Sequence, residues 1–161
     1  MSEGIGDITS NEKGTGARYN SGKADYSLIP ISILADSFAE ETTSVTALTM
    51  LGLYQETQDT EWLMKAFNIF DTDCHGMIKV LEYGSRKYKS WNWLKGQNWS
   101  VPLACAVRHL LKIILDGEEV DDESGLHHVY HFKCNVMFLI QYAKSYPEGN
   151  DLPPKEYFNA N

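Results

Sequence analysis

The sequence predicts an all-α fold, a compact bundle of about five to six helices with a flexible N-terminal arm. Three observations carry this. Apolar residues recur at helical spacing through most of the chain, and no stretch alternates convincingly with period two. Cap and stop residues bracket the periodic segments at helical lengths. The 161 residues are 43% hydrophobic and 12% aromatic, enough for the core of one domain with or without a tail.

In chain order, residues 1–15 hold Gly4, Gly6 and Gly14 with few apolar side chains and read as the arm. The bundle is expected over residues 16–146, with 147–161 as a C-terminal tail. Gly16 to Pro30 is a loop mixing Arg18 and Lys23 with Tyr19 and Tyr26. Ile31, Leu34, Ala35 and Phe38 share a helical face. Thr42 or Ser44 restarts a helix through Val45, Leu48, Leu51 and Leu53, with Gly52 near its expected end. Asp59 or Thr60 caps a helix carrying Trp62, Leu63, Ala66, Phe67 and Phe70. Another helix is expected from Met77 to about Tyr88. Ser100 is the expected cap of a helix with an early Pro102, running to Asp116 and stopping at Gly117. The last long helix is expected from Leu126 to about Tyr146, with Pro147, Gly149, Pro153 and Pro154 beyond it.

The 14 Lys+Arg against 22 Asp+Glu give a net charge of −8, a poor basis for wrapping nucleic acid. No apolar run approaches the ~20 residues that span a bilayer. The start, Met1-Ser2-Glu3-Gly4, does not read as a signal peptide. Cys74, Cys105 and Cys134 are widely spaced and form no CxxC pair. A protein of the reducing cytoplasm is the expectation, without nucleic-acid or membrane partners.

Two motifs invite a reading. Gly16 to Lys23 has five residues between its glycines and Ala24 after its lysine. A phosphate-binding P-loop needs four and a Ser or Thr, so only a simpler phosphate contact by Arg18 and Lys23 remains. Asp71, Asp73, Gly76, Ile78 and Glu82 fall at positions 1, 3, 6, 8 and 12 of a calcium loop, but position 5 is His75. The alternatives are a calcium-binding, EF-hand-like module and an Asp-rich cap before the next helix.

The strongest signal lies in the last two long helices. Leu103, Ala104, Val107, Leu110, Leu111 and Ile114 form an apolar stripe, with Arg108, His109, Lys112 and Asp116 on or beside the opposite face. The final helix is apolar around most of its circumference and is expected to be central. Yet His128, His131 and Asn135 share one face of it at i, i+3 and i+7. An unpaired buried polar group costs about 1–3 kcal/mol, so these three need partners. The loop between the helices makes them antiparallel neighbours and packs Glu118, Glu119, Asp121, Asp122 and Glu123 into six residues. Such density repels itself unless a cation or a basic side chain intervenes; hard oxygen ligands favour Mg²⁺ or Mn²⁺, with imidazoles shifting the balance to Mn²⁺. An exposed acidic turn with core histidines is the alternative. Glu82, Arg86, Lys87 and Tyr88 precede Trp91 and Trp93, a set suited to a base-and-phosphate pocket.

Three blocks, in this order, resemble a known family: Gly22-Lys-Ala-Asp-Tyr-Ser-Leu-Ile-Pro30; Val80-Leu-Glu-Tyr-Gly84 with Lys87-Tyr88 and Asn92-Trp93; and Arg108-His109 with Gly117-Glu118-x-x-Asp121-x-Glu123-Ser-Gly125 and His128-x-x-His131. They resemble the phage-associated N-terminal domain of dATP/dGTP diphosphohydrolases, over about residues 16–142, with 41–76 as an insertion relative to the compact pattern. The resemblance implies a helical nucleotide pyrophosphohydrolase, related in chemistry to MazG-like all-α enzymes. Such enzymes cleave a (d)NTP between its α and β phosphates. Their EExxE motif is absent: Glu40-Glu41 is followed by Thr42-Thr-Ser44, and His109, His128 and His131 stand where carboxylates would be expected.

The site expected on this basis places Glu118, Asp121, Glu123, His128 and His131 in catalysis. Glu82, Glu118, Asp121, Glu123 and His128 would hold Mg²⁺ or Mn²⁺. Arg18, Lys23, Lys87 and Arg108 would meet the phosphates, Trp91 or Trp93 would stack on the base, and His109 and Asn135 would complete the substrate pocket. A homo-oligomer is expected by analogy with small all-α pyrophosphatases. The competing reading is a phage nucleotide-binding protein that sequesters its ligand without hydrolysis.

Overall fold

The structure, a computed structural model, describes residues 4–159. Among these are six α-helices: α1 (Ile31–Asp36), α2 (Thr43–Thr57), α3 (Thr60–Asn68), α4 (His75–Lys87), α5 (Ser100–Asp116) and α6 (His128–Ser145). Strand structure among them is limited to two isolated bridges, Ile5 with Arg18 and Val120 with His127. None of the helices is long and apolar enough to cross a membrane.

Local chemistry sets the boundaries. Thr42 Oγ1 accepts from Val45 N and opens α2; Asp59 Oδ1 accepts from Glu61 N and opens α3. Gly117, at φ 62°, stops α5 in the left-handed conformation that glycine tolerates. Gly52 does not end α2 but lies inside it. A β-carbon there would stand 2.4 Å from Ser32 Oγ, so glycine is what lets α1 and α2 touch. Ser100 does not cap its own helix with its side chain. Its amide and hydroxyl instead donate to Asp151, which reaches back from beyond α6.

The helix α6 sits at the centre, packed against α3, α4 and α5, while α2 bridges α1, α3 and α5. Leu48, Leu51, Tyr54, Leu63, Leu103, Leu110, Phe132, Leu139 and Tyr142 are buried together between them. The start of α5 meets the end of α6, where Trp99 Nε1 donates to Tyr146 O, and His109 meets His128 at the other end. The two helices therefore run antiparallel. Residues 5–18 fold back on themselves through Ile5–Arg18 and Asp7–Thr15 hydrogen bonds and dock on the turn at 95–96 through Gly14 and Gly16. This brings Arg18 over α6.

The calcium-loop reading fails on helix geometry. A calcium loop stays irregular through most of its twelve positions, but α4 begins at His75, the fifth. Asp73 Oδ1 is spent on the His75 amide, and Glu82 stands well inside the helix. Asp73, one residue before the N-cap Cys74, thus serves the first amide of α4.

Candidate active site

Two polar stripes meet where α5 and α6 pack. Cys105, Arg108, His109 and Lys112 occupy one face of α5 at i, i+3, i+4 and i+7. His128, His131, Asn135 and Phe138 occupy one face of α6. All eight line a single cleft of about 830 Å³. The connecting loop folds over the joined ends: Asp121 N donates to Leu126 O, and His128 N donates to Glu119 O. That fold delivers Glu118 and Asp121 to the imidazoles.

The histidines form a defined array. His128 is fully buried, its Nε2 2.9 Å from Glu118 Oε1 and its Nδ1 2.8 Å from His109 Nδ1. An ionised carboxylate only accepts, so the Nε2 proton sits on His128. His128 Nδ1 is then the acceptor and His109 Nδ1 the donor, which leaves His109 Nε2 with a free lone pair. His131 stacks on His109 with ring centroids 4.6 Å apart, and its Nε2 bonds Ser124 Oγ at 2.7 Å. Burial, with His128 and Arg108 adding to it, depresses His109 to about 3. Burial and the neighbouring His109 depress His131 to about 4. Both imidazoles are thus neutral at pH 7. Burial pushes Asp121 upward, but the amide and hydroxyl of Ser124, with His131, outweigh it and leave the carboxyl below its ordinary value.

Cations and aromatic rings form the facing wall. Arg18 Nη1 donates to Asn135 Oδ1 at 3.0 Å, and its guanidinium lies 5.9 Å from the Phe138 ring centre. The backbone of Ala17 beside it is fixed by Asn92 and Gln97. Arg108 Nη2 contacts Cys105 Sγ at 3.2 Å. Burial alone would raise that thiol, but Arg18 and Arg108 draw it below its ordinary value. Lys23 pairs with Glu123 at 3.4 Å, and Lys87 lies 5.5 Å over the Tyr88 ring. Trp93 stacks on Phe138, with Trp91 exposed beside it.

The profile of the family described as "dATP/dGTP diphosphohydrolase, N-terminal" matches residues 64–152, more than half of the chain. The chain belongs to this family. A dATP/dGTP diphosphohydrolase of Salmonella phage PMBT28 is 32% identical over 75 residues, which are 47% of this chain. The match spans about a quarter of that relative's length. No solved structure matches.

In this member of the dATP/dGTP diphosphohydrolase N-terminal family, the fold unites Asp121, His128 and His131, and Asn135 adjoins them through a bond from its amide to His131 O. Glu118 does not line the cleft; it stands behind His128 and fixes its ring. Glu123 and Glu82 are exposed on the cleft rim, outside the imidazole cluster, and Glu123 is committed to Lys23. His109 lines the cleft but lies deeper than its sequence position suggests. Expected on or beside the polar face as a substrate contact, it is buried at the centre of the array. Its signal was the i, i+4 spacing with Cys105, which sets one polar stripe of α5 opposite that of α6.

Among the described residues, one group has the spacing to hold a metal ion: His109, Asp121 and His128, with donor atoms within 4.8 Å of one another. Two neutral imidazoles and a carboxylate fit a divalent ion that accepts nitrogen ligands, such as Mn²⁺, better than Mg²⁺, which prefers oxygen throughout.

Proposed function

We propose that the cleft binds a (deoxy)nucleoside triphosphate and cleaves it between the α and β phosphates, releasing the monophosphate and pyrophosphate with Mn²⁺ or Mg²⁺. The observation that carries this is the cleft itself, where Arg18, Lys23, Lys87 and Arg108 face a buried histidine–carboxylate cluster. The name of the phage relative supports dATP and dGTP as the substrates to test first.

Arg18 and Arg108, both close to Cys105, bind the phosphates, each guanidinium presenting planar pairs of donors. Lys87 adds charge at the rim, and Lys23 exchanges Glu123 for a phosphate oxygen. His109, Asp121 and His128 would hold a divalent cation, the His109–His128 hydrogen bond giving way to it, and the ion would supply Lewis acidity for the phosphates and the attacking water. Glu118 holds the His128 ring in the required tautomer. Asp121 and Asp122 line the cleft and offer acceptors for the proton of that water.

The test is pyrophosphate release by purified protein across all dNTPs with Mg²⁺ or Mn²⁺. Release that disappears in Arg108→Ala and His109→Ala supports the proposal, and no release under any combination rejects it. One observation favours a second reading, binding without hydrolysis. The family is described by its N-terminal region, and the match spans about a quarter of the relative, so the segment that cleaves can lie outside it. Recovery of intact nucleotide from a tight complex would select that reading.

A further inference from the structure

Resting on the reading of the cleft as a nucleotide site, we infer that residues 5–18 are a strap that completes the phosphate site by delivering Arg18, and that Asn92 is the positioning residue that docks it. Asn92 is buried and holds Ala17 in both directions: its Oδ1 accepts from Ala17 N at 2.8 Å, and its Nδ2 donates to Ala17 O at 2.8 Å. Arg18 comes next in the chain. Its backbone pairs with Ile5 in both directions, and its guanidinium reaches Asn135 and the Phe138 ring inside the cleft. Among the described residues, no carboxylate forms an ion pair with it, so its charge is available to a phosphate.

Three unfavourable features converge on the Ala17 contact. Asn92 closes the Lys89–Asn92 turn, and the third residue of that turn, Trp91, stands at φ 66°, a position that favours glycine. Gln97 also gives its Nε2 to Ala17 O, and its Oε1 is left buried without a partner. A carbonyl only accepts, so the Gln97 amide cannot reverse to pair that oxygen while it holds Ala17. Gly16 lies so close to the turn that a β-carbon on it would stand 2.7 Å from Gly96 O. A fold that keeps such features at one contact keeps them for what the contact positions.

The strap itself adds little core. Of residues 5–18, Gly16 and Ala17 alone are buried. Its remaining ties are polar: Gly14 N donates to Lys95 O, and Lys95 Nζ donates to Asp7 O and Ser10 O. A segment with few buried apolar contacts is among the first to open. Docking therefore does little for the bundle and much for the cleft. The two equilibria are linked: a phosphate held by Arg18 stabilises the docked strap, and docking raises phosphate affinity by the same factor.

The experiment is a double-mutant cycle on the full chain, read as dATP affinity by calorimetry with EDTA present. Arg18→Met should weaken binding about ten-fold. Asn92→Ala should weaken it by up to about the same factor in the wild-type background and add nothing in the Arg18→Met background. Gly16→Ala strikes the same contact from the strap's own side and should behave alike, so the cycle stands should Asn92→Ala not fold. In hydrogen exchange, dATP should slow the amides of positions 17 and 18 in wild type and leave them unchanged in Arg18→Met. Losses that add in full on the Arg18→Met background, dATP affinity unchanged in both strap variants, or equal slowing with and without the guanidinium overturn the strap and leave the cleft reading standing. A wild-type chain that does not bind dATP overturns both.

Discussion

Acidification should destabilise this protein well above the range where its carboxylates titrate. His109 and His131 are held near 3 and 4 in the folded state, chiefly by burial. In the unfolded chain each returns to about 6.5. Below that value the unfolded state binds more protons, so stability falls as pH falls. It is fully present above about pH 6.5 and is lost progressively down to the folded values. Between pH 7 and pH 5 each imidazole loses about 2 kcal/mol, and the pair up to about 4 kcal/mol. Asp121 acts in the same direction in a lower window: its depressed carboxyl adds stability that is present above about 3.8 and is lost only as pH falls below that. Since a domain's whole stability is about 5–15 kcal/mol, the loss is measurable by urea denaturation at constant ionic strength. His131→Gln should remove about half of the dependence. Equal stability of wild type at pH 7 and pH 5, or a rise toward acid, would refute the assignment of these rings as buried and neutral.

Gly52→Ala should destabilise despite alanine's better helix propensity, by about 1–3 kcal/mol, because the new β-carbon meets the Ser32 backbone at 2.7 Å; thermal melting reads it. Asp151→Ala removes both acceptors at the start of α5 and should cost about 1 kcal/mol with nucleotide affinity unchanged. Phe132, fully buried against Phe70, should cost about 3–5 kcal/mol as Ala, checked by denaturant titration. Mn²⁺ at a hundred-fold excess over its dissociation constant should stabilise by about 2.7 kcal/mol; Mg²⁺ at the same concentration should do less, and His109→Ala should abolish the effect.

The helices were legible because their signals are local. Thr42, Asp59 and Gly117 act on backbone groups within a turn of themselves, and the apolar stripe of α5 fixes its core face without reference to any other element. The central place of α6 also followed from its own residues, because apolar side chains on most of its circumference require neighbours on most sides. What remained hidden depended on contacts distant in sequence. Gly52 leaves the end of α2 open until Ser32 is known to press on it. Asp151 reads as tail until it meets Ser100.

The site divides along the same line. His128, His131 and Asn135 were found because a polar row on an otherwise apolar helix is anomalous in itself, and each has acquired a partner: Glu118, Ser124 and Arg18. His109 carried no such anomaly, since it sits among charged residues on an amphipathic helix. Its burial arises because α5 is enclosed on two sides, by α2 and by α6. A second buried face made of Cys105 and His109 is tolerable only opposite the polar row of α6, where His128 Nδ1 accepts a hydrogen bond from His109 Nδ1–H at 2.8 Å. Either row alone would leave buried nitrogen atoms unpaired, at about 1–3 kcal/mol each. The two rows are therefore mutually required: apolar replacement of His128 should strand His109, and the paired replacement of both should recover part of that loss while ending metal binding.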